Sequence, residues 1–318
     1  MNQVPASFDT ALKLLLAILL VPSFATGAHA ADWRIPGVYA YDSRDWESHV
    51  EKKFPLIVVR YHIGQEVAPQ VRTIRNLAAS GNRVIVNFEF MQNIEQRRSR
   101  ASLPPFDKIK PKLLAMLDGL GDTQVEAISL DEENNLGSDK IEYLNRLYQV
   151  AKDHSPHHKI VQWVVFRKQG GHVQFQGLGS LAADGWVIDP YLSSEKDYST
   201  IVDALTKTSK PIYSVVWASP GWQVSAGYRI HAEQDWWNGS QWKTLYNRLA
   251  VNQKSNISTI FYIFGLKNKN VASLWASNSC DRKFFEDIVN ITLPYFQENY
   301  IPLTTPASRP KWIPTYCG

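Results

Sequence analysis

The sequence predicts a (β/α)8 barrel, the TIM-barrel architecture, as a single domain that follows a signal peptide. Eight short apolar runs recur along the chain, and segments with helical periodicity lie between most of them. The chain from residue 31 onward also has the ~250 residues that this fold typically requires. Alternating strands and helices of this kind are typical of a parallel sheet covered by helices.

The apolar runs are rich in β-branched and aromatic residues and are nearly continuous, as expected of strands covered on both faces. In chain order they are GVYAYD (37–42), LIVVRYH (56–62), RVIVNFEF (83–90), VEAISLDEE (125–133), IVQWVVF (160–166), GWVIDPY (185–191), IYSVVWAS (212–219) and TIFYIFG (259–265).

Helices are predicted between these runs from their apolar periodicity and their terminal residues. They cover 68–80, 106–121, 138–154 with Ser138 as N-cap, 197–209, 240–255, and 281–300 with Pro294 as an interruption. An open doubly wound sheet is the alternative architecture. The first strand is not followed by a Gly-x-Gly-x-x-Gly turn or a phosphate loop, which favours the barrel.

The first 30 residues predict a secretory signal peptide. Lys13 precedes the apolar run LLLAILLVPSFATG, and Ala28-His29-Ala30 supplies the small residues of a cleavage site near Ala30. A membrane anchor is the alternative, but the run is shorter than the roughly 20 residues that a spanning helix needs. We therefore expect an exported protein, periplasmic or extracellular, with no membrane span after cleavage.

The mature chain divides into a barrel domain at 31–300 and a Pro-rich tail at 301–318. The two cysteines, Cys280 and Cys317, lie near the C-terminus. In an oxidising compartment they are expected to pair and pin the tail, with two free thiols as the alternative. The spacing of Cys and His residues offers no structural zinc motif, so no metal or cofactor is predicted.

Charge and motifs exclude two function classes. The formal net charge is +4 and the sequence contains no long basic run, so no nucleic-acid partner is predicted. No Gly-x-Ser-x-Gly elbow is present, so an esterase triad is not supported. The sequence does not indicate an oligomeric state.

Polar residues gather at the predicted carboxyl ends of the strands, where barrels of this kind carry their sites. A polar residue inside an apolar strand costs free energy unless it is paired or used. We therefore take these residues as site candidates: Asp42, Arg60, His62, Asn87, Glu89, Asp131, Glu133, Arg167, Asp189, Tyr191 and Trp217.

Strand alternation divides the acidic cluster after the fourth strand. With a period of two, Ser129, Asp131 and Glu133 share the face toward the barrel mouth, and Leu130 faces the helices. Two carboxyls this close raise the pKa of one of them, which can then donate a proton. Glu89 and Asp189 are candidates for a second carboxylate or for orienting substrate. Salt bridges of these acids to Arg60 or Arg167 are the alternative.

The segment EAISLDEE, residues 126–133, resembles the Asp-x-x-Asp-x-Asp-x-Glu motif on the fourth strand of family 18 chitinases. Asp131 and Glu133 fall on its last two acidic positions, with Glu126 on the first and Ser129 on the second. The resemblance implies that Glu133 is the general acid and that Asp131 orients an N-acetyl group. Hyaluronidases carry a similar acid pair, and polygalactosaminidase-like secreted barrels carry a similar strand.

A tryptophan-rich stretch at 217–242 includes Trp217 and Trp222. Flat aromatic faces beside polar groups suit sugar rings, although some of these rings could instead fill the core. Together these features predict a glycoside hydrolase acting on a polysaccharide, with amino-sugar polymers as one candidate. A glycan-binding barrel without activity, and a metal-dependent phosphodiesterase using the same acids, are the alternatives.

Overall fold

The structure is a computed structural model that describes residues 31–40, 54–90, 103–131, 138–169, 172–176, 178–190, 194–217, 239, 241–263 and 280–315. Residues 31–318 form one compact unit. The predicted leader, residues 1–30, lies outside the described ranges.

Nine strands are present in these ranges. They are β1 (Gly37–Ala40), β2 (Leu56–His62), β3 (Arg83–Glu89), β4 (Ala127–Leu130), β5 (Ile160–Gln169), β6 (His172–Gln176), β7 (Gly185–Ile188), β8 (Ile212–Trp217) and β9 (Ser258–Ile263). Every predicted apolar run coincides with or overlaps one of them; β5 extends three residues beyond its run, and β9 begins one residue before its run. The additional strand, β6, was not predicted.

Eight of the strands close into a parallel barrel. Each pairs with the next in the order β1, β2, β3, β4, β5, β7, β8 and β9, and β9 pairs with β1. β6 instead forms an antiparallel hairpin with the end of β5, which extends beyond the barrel. The predicted (β/α)8 fold is confirmed.

The described helices match the predicted segments closely. They are α1 (Val67–Ala79), α2 (Phe106–Leu120), α3 (Ser138–His154), α4 (Glu195–Thr206), α5 (Trp242–Lys254), α6 (Cys280–Asp287) and α7 (Leu293–Glu298). α4 starts two residues earlier than predicted because Ser194 and Asp197 form a capping box. Within the same ranges, no helix is long and apolar enough to cross a membrane.

The last predicted helix is divided at Pro294. Proline lacks an N–H and its ring clashes with the carbonyl four residues earlier. The chain passes through a π-helical turn, Ile288–Thr292, before α7 begins. Thr292 Oγ1 donates to the Trp312 carbonyl at 2.7 Å, and the Trp312 ring stacks on Tyr295 with centroids 4.8 Å apart. These contacts hold the described part of the tail against the body.

The predicted disulfide falls outside this description. The backbone of Cys280 belongs to α6, but its side chain and the whole of Cys317 lie outside the described residues. The pairing therefore stays a prediction.

The apolar core has two layers. The outer layer packs the helices against the strands. The inner layer fills the barrel with Tyr39, Leu56, Val58, Ile85, Ala127, Val161, Trp163, Val187, Tyr213, Val215 and Ile260, and Ala31 joins the same cluster. In β4, Ala127 belongs to the inner layer while Ile128 and Leu130 belong to the outer one. The predicted direction of Leu130 is confirmed.

Candidate functional site

The described part of the site lies at the carboxyl ends of β2, β3 and β4. Arg60 and His62 continue the alternation that places Leu56 and Val58 inside the barrel. The parallel register sets Arg60 beside Asn87 and His62 beside Glu89. Strand pairing alone therefore brings four candidate side chains together at one side of the barrel mouth.

An ion pair between Arg60 and Glu89 is the centre of this cluster. Arg60 Nη2 donates to Glu89 Oε2, and the two side chains are 8% and 3% exposed. Asn87 Nδ2 lies 3.5 Å from Glu89 Oε1, and His62 Nδ1 lies 3.7 Å from Oε2. The Arg60 salt bridge that the sequence offered as the alternative for Glu89 is therefore present. A buried pair of this kind is costly to break, because either partner alone is an uncompensated charge.

A hydrogen-bonded chain supports the ion pair from below. Asn87 Nδ2 donates to the Tyr39 hydroxyl at 2.9 Å. Ser129 Oγ donates to Asn87 Oδ1 at 3.2 Å and accepts from Trp163 Nε1 at 2.6 Å. These hydrogen bonds run across the barrel from β1 to β5 through buried side chains, and they fix the orientation of the Asn87 amide. Ser129, at the second acidic position of the chitinase pattern, is thus a link in this network.

The strand alternation stops at Leu130. Asp131 has a φ of 64°, in the left-handed region, and its N–H donates to the Phe88 carbonyl at 2.9 Å. Its Oδ2 lies 3.1 Å from Lys140 Nζ in the first turn of α3, and the residue is 1% exposed. The period-two argument therefore ends at Leu130, and Asp131 is paired with a helix lysine. Glu133 lies outside the described residues, so its predicted direction stays a prediction.

Lys140 was not anticipated as a site residue. A signal was available, because a lysine in the first turn of a helix is disfavoured by the helix dipole. Such a residue needs an anionic partner or exposure to water, and the sequence places Asp131 nine residues before it.

Asp189 follows β7 and is buried. The next carbonyl, that of Pro190, accepts from Arg248 Nη2 at 2.7 Å. Arg248 is itself 2% exposed, and its guanidinium lies 5.4 Å from the centre of the Tyr198 ring. An arginine of α5 thus holds the turn that carries Asp189. Burial raises the pKa of Glu195 nearby, and the Arg248 charge opposes that rise.

Several predicted site residues lie outside the described ranges: Asp42, Glu133, Tyr191 and Trp222. Trp217 ends β8 and Arg167 lies in β5, and both are described by their backbone alone.

The described donors fit a divalent cation poorly. In the part of the chain that the structure describes, no three His, Cys, Asp or Glu side chains come together as a metal site. Glu89 and Asp131 each have a cationic partner, Arg60 or Lys140, that competes for the carboxylate oxygens.

The fold and the placement of the cluster define the class of protein: a (β/α)8 barrel with a polar site at the carboxyl ends of its strands.

No family profile matches the sequence, and no curated protein is significantly similar to it. Solved structures are similar in fold. One is a glycoside hydrolase family 5 enzyme from Prevotella bryantii B14 in complex with a xyloglucan tetradecasaccharide. Its TM-score is 0.50 at 10% identity, over 82% of this chain and 99% of that one.

A second similar structure is a tri-modular family 5 (subfamily 4) endo-β-1,4-glucanase from Bacillus licheniformis. Its TM-score is 0.51 at 7% identity, over 76% of this chain and 56% of that one. At such identities the likeness is one of fold, and many unrelated activities share this barrel. The resemblance to family 18 chitinases rests on residues 126–133 alone.

Proposed function

We propose that the protein is an exported glycoside hydrolase that acts on a polysaccharide. The observation that carries this proposal is the buried cluster of Arg60, Asn87 and Glu89 at the mouth of the barrel. Charged and amide groups in an apolar strand cost free energy, and a barrel places such groups at this end where it uses them. Similarity in fold to family 5 hydrolases, one of them holding a xyloglucan oligosaccharide, is consistent with this assignment.

In this proposal Glu133 is the general acid. It lies two residues beyond Asp131, which Lys140 and the Phe88 carbonyl hold at the end of β4. The segment that carries Glu133 therefore starts from a fixed point. Glu133 protonates the glycosidic oxygen as its bond to the anomeric carbon breaks, and a group on the other side of the sugar completes the displacement.

The remaining candidates contact the substrate. Glu89 and Asp189 contribute the second polar side of the cleft, and Tyr191, Trp217 and Trp222 supply stacking faces for sugar rings. Asp131 contributes negative charge near the reacting centre, balanced by Lys140.

The test is the Glu133→Gln variant, with Glu132→Gln as the matched control on the neighbouring residue. Release of reducing ends is measured on β-glucans, xyloglucan, chitin oligosaccharides and other amino-sugar polymers. Loss of a general acid should reduce kcat by about 10²–10⁴-fold, while binding of the cleaved glycan persists and Glu132→Gln stays active. Equal activity of wild type and Glu133→Gln would refute the assignment. Binding without cleavage by the wild type would establish the glycan-binding alternative.

Export is part of the proposal and rests on the leader sequence. N-terminal sequencing of protein recovered outside the cytoplasm should give a chain that begins close to residue 31. A chain that keeps Met1 in that fraction would contradict cleavage.

A further inference from the structure

We propose that His158 forms an acid-sensitive tie between the starts of β4 and β5, and that this junction opens locally when the imidazole takes up a proton. The tie lies at the amino end of the barrel, and the proposal does not depend on the proposed function. Its basis is a comparison of four junctions at this end, because one of them uses a histidine where the others use different donors.

The four junctions share one construction in the part of the chain that the structure describes. A side chain at the start of one strand, or just before it, donates to a main-chain carbonyl that precedes the neighbouring strand. The pairs are Asn82 Nδ2 with Phe54 at 2.8 Å, His158 Nε2 with Thr123 at 3.3 Å, Lys210 Nζ with Ala183 at 2.7 Å, and Ser258 Oγ with Ile35 at 2.8 Å. They join β3 to β2, β5 to β4, β8 to β7 and β9 to β1. The tie is therefore a recurring feature of this barrel that different donors can supply.

Among these four donors, only the imidazole changes its charge in mildly acidic solution. Amides and hydroxyls take up no proton there, and a lysine ammonium is already charged. In the neutral ring of His158, Nε2 carries the hydrogen, because the Thr123 carbonyl can only accept. Nδ1 then accepts from the Ser155 hydroxyl at 2.8 Å. Both ring nitrogens therefore have a partner in the neutral form.

Protonation disturbs this arrangement at three points. His158 is 2% exposed, so a charge on its ring has little contact with water. The added hydrogen on Nδ1 turns the hydroxyl of Ser155, which is also buried, from a donor into an acceptor. The centre of the His157 ring lies 4.1 Å from that of His158, and this ring is a second cation once it is charged. The closed junction therefore favours neutral His158.

Charged groups from several elements surround His158, and most of them compensate one another. Lys152 of α3 donates to the His158 carbonyl at 3.0 Å and pairs with Asp184, before β7, at 3.1 Å. The last residue of α3, His154, pairs with Asp118 of α2 at 2.7 Å. The other charged or titratable neighbours in the described part of the chain are His157, Lys159 and Asp122. A protonated His158 would therefore have Asp122 as its main compensating acid, with cations on its other sides.

The direction of the pH effect follows from this balance. Burial and then the His157 charge lower the pKa of His158, and the Thr123 carbonyl and Asp122 oppose the shift. In an open junction the ring is in water, where a histidine has a pKa of about 6.5. The tie is therefore intact above that pH and weakens as the pH falls below it. The equilibrium constant for opening should rise by up to about tenfold per pH unit, until the closed form is protonated as well.

Hydrogen exchange measured by mass spectrometry tests the tie in the whole protein at pH 7 and pH 5, with rates corrected for the intrinsic effect of pH. Peptides that span 121–128 and 155–162 should lose about tenfold in protection at pH 5. They contain the Ile128 N–H, which donates to the Lys159 carbonyl at 2.8 Å across this junction. Peptides that span 80–84 and 208–214 cover the amide and lysine ties and should keep their protection.

Three variants separate the tie from other acid effects. His158→Gln keeps a donor that does not titrate, so the pH response of 121–128 and 155–162 should disappear. His157→Gln should reduce this response, because it removes a neighbouring charge. His154→Gln is the matched control at the same helix end, because its ring contacts the Asp118 carboxylate and not the carbonyl before a strand. It should respond to pH like the wild type.

Three results would overturn the inference: an unchanged response in His158→Gln, an equal loss of protection at all the junctions, or no loss at 121–128 and 155–162 in the wild type. If His158→Gln does not fold, the wild-type comparison between junctions and the His157→Gln variant still decide. None of these measurements uses a glycan, so their outcome is separate from that of the proposed function.

Discussion

Replacing Tyr213 by Phe tests the network that closes the amino end of the barrel. Tyr213 lies in β8 and is fully buried, and its hydroxyl donates to Glu126 Oε1. The other carboxylate oxygen of Glu126 accepts from Arg83 at 2.8 and 2.7 Å. A hydrogen bond to a charged group contributes about 1.5–3 kcal/mol, and the substitution removes one atom without opening a cavity. We therefore expect the free energy of unfolding to fall by about 2 kcal/mol.

The assay is urea unfolding in a double-mutant cycle with Glu126→Gln. Glu126→Gln replaces the charged acceptor by a neutral amide and so weakens the hydrogen bond. In that background, the loss in free energy of unfolding caused by Tyr213→Phe should be about 1 kcal/mol smaller than in the wild type. Tyr246→Phe is the control, because the hydroxyl of this buried tyrosine donates at 2.9 Å to a neutral carbonyl, that of the exposed residue Pro302. A Tyr213→Phe cost no larger than that of Tyr246→Phe, or one unchanged by Glu126→Gln, would refute the reasoning.

The same network predicts alkaline sensitivity. Burial, and then the negative charge of Glu126, raise the pKa of Tyr213 above its ordinary value. Above pH ~10 the unfolded chain ionises this tyrosine while the native one keeps its proton, so stability falls as pH rises. Through this group, the free energy of unfolding of the wild type should fall by up to about 1.4 kcal/mol per pH unit. Tyr213→Phe should remove that share of the slope, and an identical slope in both proteins would contradict the assignment.

Three further outcomes are expected. Burial lowers the pKa of His158, so the unfolded chain takes up a proton first as pH falls below ~6.5. The melting temperature of His158→Gln should therefore change less between pH 7 and pH 5 than the melting temperature of the wild type. Asp131→Gly should be about 1 kcal/mol more stable than Asp131→Ala, because φ is 64° at this position; equal urea midpoints would contradict this. Arg248→Met leaves the Pro190 carbonyl without its Arg248 donor and should lower the free energy of unfolding by about 1–3 kcal/mol. An unchanged melting temperature would show that the turn after β7 does not depend on this hydrogen bond.

The barrel was predictable because its strands are buried on both faces. Nearly continuous apolar runs such as LIVVRYH and RVIVNFEF have few other stable settings, and their number and spacing point to closure. β6 lacks this signal. Its segment, HVQFQ, is short and half polar. It pairs with the end of β5 beyond the barrel, and its apolar side chains, Val173 and Phe175, are only partly buried against the outer layer. A hairpin of this kind is set by its partner strand and not by its own pattern.

The site was predictable where strand geometry alone decides it. Arg60, Asn87 and Glu89 follow from alternation and parallel register, and they do form one cluster. Asp131 shows the limit of this reasoning, because its left-handed φ angle ends the strand alternation, and the hydrophobic pattern does not reveal such an angle.

The residues that hold the site are harder to find from sequence. Gln70, Lys140 and Arg248 reach the strand ends from helices, and their partners lie 8, 9 and 58 residues away in the chain. Pairings of this kind depend on how each helix is rotated against the barrel. Local propensity does not determine that rotation.

The filled interior of the barrel has a kinetic consequence. Tyr39, Trp163, Tyr213 and the aliphatic residues of the inner layer occupy the space along its axis. A ligand bound at the carboxyl-end mouth must therefore leave through the opening by which it entered. Under the proposed function, product and substrate therefore bind at the same mouth and exclude one another, so initial rates should show competitive inhibition by the product.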